Sequence, residues 1–239
     1  MKVGYFIYPP HICFDKDENK PYGPLISFFN EYHAKNMNAQ ITWVKMTNKR
    51  AELALKDCKI NMFILKGYSK DREQRMMYPE HPFHHAIPSL LVSKDYPANE
   101  IRGSEDLYDQ VIGWTSGLPK NALKPYWNHP RITLKLTPQT DFYTANMKMF
   151  MRDRLTGVAS SNRESLLYMA GKMKVADKVN VINLPQESRQ FYQTFSKCSE
   201  EQLVRYNQAT NELLANEFAN KAMHEFYLEY MLKELQLSK

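Results

Sequence analysis

Residues 60–65, INMFIL, make an almost unbroken apolar run of the length expected for a parallel strand buried on both faces. A strand hidden on both sides needs helices above and below its sheet, so the run points to an α/β chain. The flanking sequence agrees. Residues 3–8 and 41–46 read as strands, and residues 25–32, apolar at 25, 26, 28, 29 and 32, read as the helix between them. Thr47 is expected to cap a helix ending near Lys56. Residues 87–93 (IPSLLVS) close the first set.

The segment KDYPANEIRGSEDL then brings charge, Pro97 and Gly103, the marks of a surface crossing, and a lobe boundary is expected near residues 94–98. A second α/β set follows. Strands are expected at 111–115, 132–136, 155–159 and 179–182, with helices from about 120, at 140–151 and at 162–173. Pro185 marks a return. The end of the chain reads as helical, with a capping-box pattern at Ser199, Glu200, Glu201 and Gln202 and a further helix over 217–235. The predicted organisation is two lobes with a cleft between them: residues 1–94 with 186–239, and residues 95–185.

Composition narrows the function. With 43% hydrophobic and 13% aromatic residues the chain carries too much apolar material for disorder. Its net charge of +6 comes from basic residues spread along the chain beside acidic ones, which argues for a solvated surface and against nucleic-acid binding. No run of about 18 apolar residues exists to span a membrane. The N-terminal sequence reads as a strand rather than a signal peptide, which fits a cytoplasmic protein or an exported chain without its leader. Cys13, Cys58 and Cys198 show neither redox-pair nor zinc-ligand spacing, and the adjacent His84 and His85 would point to opposite faces of an extended segment, so neither metal nor cofactor is expected. Dinucleotide, Walker A, nucleophile-elbow and zinc-protease motifs are lacking in the sequence.

In α/β sheets ligands collect beyond the carboxyl ends of strands. There the sequence places Tyr8; Gly67, Tyr68, Ser69 and Arg72; Ser116 and Gly117; and Ser160 and Ser161. This lining of aromatic, hydroxyl and guanidinium groups has no acidic pair, which favours recognition over acid–base catalysis. Ser69 suits the start of a short helix whose first turn holds Arg72, where a guanidinium fork would meet a carboxylate or phosphate. The alternative for Arg72 is a surface pair with Asp71, Glu73 or Glu80. Ser161 reads as a helix cap exchanging hydrogen bonds with Glu164, leaving Ser160 to face the cleft. Tyr8, Tyr22, Tyr68, Trp114 and Tyr192 are expected to pack by default, with stacking on a ligand as the alternative.

The order of these features resembles the bacterial extracellular solute-binding proteins of the polar amino-acid type, periplasmic partners of ABC importers, across nearly the whole chain. It runs from YPPHICFDKDENKPYGPLISFFNEY through LALKDCKINMFILKGYSKDREQRMMYPEHPF and SEDLYDQVIGWTSG to MRDRLTGVASSNRE and FSKCSEEQLVRYNQATNELLANE. SKDREQRMMYPEHPF looks like the family's threonine-x-x-arginine followed by its phenylalanine-serine and proline-tyrosine elements.

The resemblance implies a two-lobe type II periplasmic-binding-protein fold and a non-enzymatic, monomeric binder of a small solute, whose hinged lobes close for a transporter's membrane components. It puts Arg72 on the ligand's α-carboxylate, Tyr8 over the ligand, Gly67 and Ser69 in the contact loop, and Ser116 and Gly117 at the second-lobe helix start. It departs where the family's ammonium-binding aspartate is Ser161 and the threonine after Gly117 is Leu118. A neutral serine gives a buried ammonium no charge-assisted partner, so a carboxylate-bearing or other small polar or aromatic ligand is as well suited as an amino acid. A sensory module and a dehydratase-like enzyme on the same fold are the alternative functions.

Overall fold

The computed structural model describes residues 1–115, 129–138 and 142–215. The chain divides into two compact units, Met1–His85 with Gln190–Lys239, and Ala86–Arg189.

The first unit opens with β1 (Lys2–Tyr5), the hairpin β2 (Cys13–Asp15) and β3 (Lys20–Tyr22), and the short helix α1 (Pro24–Phe28). Gly23 enters α1 at φ 122°, and a Cβ there would lie 2.7 Å from the His11 carbonyl oxygen, so a side chain is excluded twice over. The helix continues as a π-turn, Phe29–Ala34. Next come β4 (Thr42–Lys45), α2 (Asn48–Lys56), β5 (Met62–Gly67), the single-turn α3 (Lys70–Glu73), β6 (Met76–Met77) and β7 (His84–Ala86). Thr47 caps α2 as expected, its Oγ1 accepting from Arg50 N at 3.4 Å.

The second unit contributes β8 (Ser89–Ser93), β9 (Val111–Thr115), β10 (Thr133–Thr137), α4 (Phe142–Phe150), β11 (Gly157–Ser160), α5 (Arg163–Lys172) and β12 (Val179–Asn183). The chain then returns as β13 (Arg189–Ser196) and α6 (Glu200–Leu214).

The sheet of the first unit runs β4-β1-β5-β13-β6, with β7 also on β13. β1 lies parallel to β4 and β5, whereas β13 is antiparallel to β5. Val3, Phe29, Met62, Phe195 and Tyr206 pack on one side; Ala51, Leu55, Ile60 and Phe63 pack together under α2. In the second unit the order is β10-β9-β11-β8-β12, with β9, β10 and β11 parallel and β8 antiparallel to both its neighbours. Leu90, Val92, Ile112, Trp114 and Ile182 form its core.

Several expectations need correction. The crossing precedes residues 89–93 instead of following them, because β8 is an inner strand of the second sheet, hydrogen-bonded on both edges. β13, read only as a return, is a full strand of the first sheet. Cys58 and Cys198 are joined by a disulfide with Cα atoms 5.9 Å apart, bridging 140 positions of sequence; Cys13 is buried and outside that disulfide. Asn162 caps α5, its Oδ1 accepting from Ser165 N at 3.2 Å, one residue beyond the expected Ser161. Ser199 starts α6 without capping it; its hydroxyl accepts from Asn61 Nδ2 at 3.1 Å. The expected helices near 120 and over 217–235 lie outside the described residues.

Candidate functional site

β5 departs from a regular strand just before the residues of interest. Leu65 has φ 60°, a left-handed conformation that costs a non-glycine residue about 1–2 kcal/mol. Its N–H is satisfied by Gln193 Oε1 at 3.0 Å, where the β5–β13 register slips between Tyr192 and Thr194. The kink breaks side-chain alternation. Ile64 and Leu65 both join one cluster with Tyr5, Tyr8 and Leu25, while Lys66 returns to the Phe63 side beneath α2.

Lys66 is therefore buried, 4% exposed, and needs a counter-ion. Glu52 on α2 supplies it, with Oε1 2.6 Å from Lys66 Nζ. The same oxygen accepts from Arg72 Nε at 3.0 Å, and Arg72 NH1 donates to the Gly67 carbonyl at 3.1 Å. Burial works to raise the Glu52 carboxyl, but the two cations together hold it below its usual range. Burial pulls Lys66 down, against the opposing effect of Glu52.

Around this triad stand three phenol rings. Tyr68, Tyr78 and Tyr192 have centroids 5.2, 5.6 and 6.5 Å apart pairwise, and Tyr78 donates to the Gly67 carbonyl at 3.2 Å. Tyr68 is exposed. Gly67, Tyr68, Ser69 and Arg72 lie together from the end of β5 into α3. Ser69 precedes α3 without a side-chain cap bond. Tyr8 is buried, its ring tilted against Phe6 and His11. Asp71, Glu73 and Glu80 are not the partners of Arg72. Glu80 instead meets Asn207 and Asn211 of α6.

Glu52, Lys66 and Tyr78 were missed by sequence reasoning. One signal was legible: a lysine directly closing an apolar buried strand must find a partner. The identity of that partner, a helix away, has no local signature.

In the second unit, Ser160 and Ser161 lie at the end of β11 and both are buried, 2% and 7% exposed. The Ser160 hydroxyl lies 2.9 Å from the Tyr143 hydroxyl and accepts from Asn162 N at 3.0 Å. Burial pushes Tyr143 up to about 12. Burial raises the carboxyl of Glu164, in the first turn of α5. Ser116 and Gly117 lie outside the described residues. Groups of three or more metal-ligating side chains are absent among the described residues.

Solved structures match this architecture over almost its full length. An ancestral arginine-binding protein bound to arginine superposes with a TM-score of 0.74 at 18% identity, covering 95% of this chain and 97% of that one. The fold is that of the type II periplasmic binding proteins. A Salmonella typhimurium periplasmic binding protein with high arginine specificity shares it at a TM-score of 0.69 and 18% identity, over 95% of this chain and 98% of that one. So does a histidine kinase sensor domain similar to periplasmic binding proteins, with a TM-score of 0.73, 15% identity and 95% coverage of each chain. No protein-family model matches the sequence, and neither does any curated protein. At these identities the likeness to type II periplasmic binding proteins establishes the fold.

Proposed function

We propose that this protein binds a small carboxylate-bearing solute, an amino acid or a related acid, without transforming it, and delivers it to the membrane components of an ABC importer. The observation that carries the reading is Arg72. Its Nε and NH1 are held by Glu52 and the Gly67 carbonyl with the Tyr78 hydroxyl beside the guanidinium, while NH2 donates to no carboxylate or carbonyl among the described residues. A guanidinium fixed on one side and open on another suits a planar anion. Tyr68, Tyr78 and Tyr192 offer ring surface beside it for the remainder of the ligand.

Several matching folds belong to proteins with arginine, glutamine or glutamate bound, which supports a ligand of amino-acid size. The chain crosses between its units at residues 85–86 and 189–190, and there we place the hinge whose movement reports binding to a partner. The Cys58–Cys198 disulfide favours an oxidising compartment, periplasmic or extracellular. A sensory role is the second reading, favoured by the match to a histidine kinase sensor domain.

A thermal-shift screen over amino acids, small carboxylates, polyamines and short peptides tests binding. With a ligand in hand, Arg72→Ala is expected to weaken apparent affinity at least tenfold. Unchanged affinity removes Arg72 from the site. Chemical turnover of any bound acid would exclude the non-enzymatic reading.

A further inference from the structure

The pairing around Arg72 has an informative charge count. Two cations, Lys66 and Arg72, reach a single carboxylate oxygen, Glu52 Oε1, at 2.6 and 3.0 Å. The triad therefore carries one surplus positive charge, close to a lysine that is 4% exposed. In such surroundings an added or missing charge is felt far more than at an open surface.

The geometry also fixes where an incoming anion meets this charge. With Nε on Glu52, NH1 on the Gly67 carbonyl and the Tyr78 hydroxyl beside them, the guanidinium plane is set, and its NH2 end, which meets no carboxylate among the described residues, is where a ligand anion would bind. Glu52 then sits across the guanidinium from any anion bound there. A first negative charge on the ligand cancels the surplus. A second finds no cation left in the triad and is repelled by Glu52.

We propose that Glu52 sets the charge selectivity of the Arg72 site: by neutralising one of two neighbouring cations, it makes the site take a singly charged carboxylate in preference to a doubly charged oxyanion such as sulfate. This rests on Arg72 being the anion anchor. Glu52 acts through Arg72 without touching the ligand, and so is a positioning residue.

The test uses the full chain and two defined probes, acetate and sulfate, at constant ionic strength. Phenylglyoxal labels arginine through its terminal nitrogens, and labelling at Arg72 is read by peptide mass spectrometry. In the unsubstituted protein acetate is expected to protect Arg72 at lower concentration than sulfate. In Glu52→Gln the half-protecting concentration of sulfate should fall at least tenfold relative to that of acetate. An unchanged ratio overturns the proposal and leaves Arg72 as an anchor. Failure of both anions to protect Arg72 in either protein overturns the anchor as well. If Glu52→Gln does not fold because Lys66 is left without its counter-ion, Lys66→Met carries the test. That variant has no surplus charge, so acetate protection should weaken at least tenfold, and undiminished protection overturns the proposal.

Discussion

The two units solve the same packing problem with different chain economies. The second is continuous, Ala86–Arg189, and its sheet closes within that one stretch, with β8 from its start pairing with β11 and β12 towards its end. The first is split, with the whole second unit inserted between its parts. Its long-range ties are correspondingly heavier. The Cys58–Cys198 disulfide, the β5–β13 pairing, and the Glu80 contacts with Asn207 and Asn211 all join the two segments. So does His33, stacked on Phe29 and Tyr206 at 5.6 and 4.8 Å, with Nε2 3.3 Å from the Thr210 hydroxyl. The units also differ at their strand ends. The first presents the Lys66–Glu52–Arg72 ions, the second the neutral Tyr143–Ser160–Asn162 hydrogen bonds. A split unit must hold distant segments together, and specific bonds do this where sequence proximity cannot.

Breaking the covalent tie should have the largest effect. Closing a 140-residue separation is worth about 5 kcal/mol in the chain-entropy account of disulfides. Cys58→Ser combined with Cys198→Ser is expected to lose most of that in denaturant unfolding, with the loss confined to signals from the first unit. A loss of similar size in second-unit probes would show that the units unfold as one.

Acid tests the next tie. Burial lowers His33 to about 3, whereas an unfolded histidine titrates near 6.5. Between those values the unfolded chain binds a proton that the folded one refuses. The stability contributed is complete above about pH 6.5 and is lost as pH falls, at about 1.4 kcal/mol per pH unit. From pH 6.5 to 4 the loss is roughly 3 kcal/mol. His33→Phe should flatten the profile by close to one proton, measured as denaturant midpoints against pH. His84, lowered by burial to about 4, leaves a residual slope.

In the second unit the expected change is smaller. Tyr143→Phe removes the phenol's hydrogen bonds with Ser160 and Ser165, yet Ser160 keeps the Asn162 N–H, so a loss of about 2 kcal/mol is expected by thermal melts. A loss of several kcal/mol would mean that this unit also leans on a single polar tie.

Much of the fold was legible because strand and helix periods are local. The expected strand at 111–115 coincides with β9, and those at 41–46, 60–65 and 179–182 fall within two residues of β4, β5 and β12. What escaped was non-local. β13 has the mixed sequence RQFYQTFS, and only its pairing with β5 makes it a strand. The partner of Arg72 lies 20 positions upstream on α2, and Lys66 reaches the same Glu52 oxygen because Leu65 turns the strand. Asn162 displaced Ser161 as the cap because two adjacent residues suited the role and the helix began one residue later.

The Cys58–Cys198 bond encloses both crossings and the entire inserted unit within one covalent ring. A protease that nicks the backbone once anywhere from 59 to 197 would therefore leave a single molecule under oxidising conditions. The two fragments would come apart on a denaturing gel only after a thiol was added.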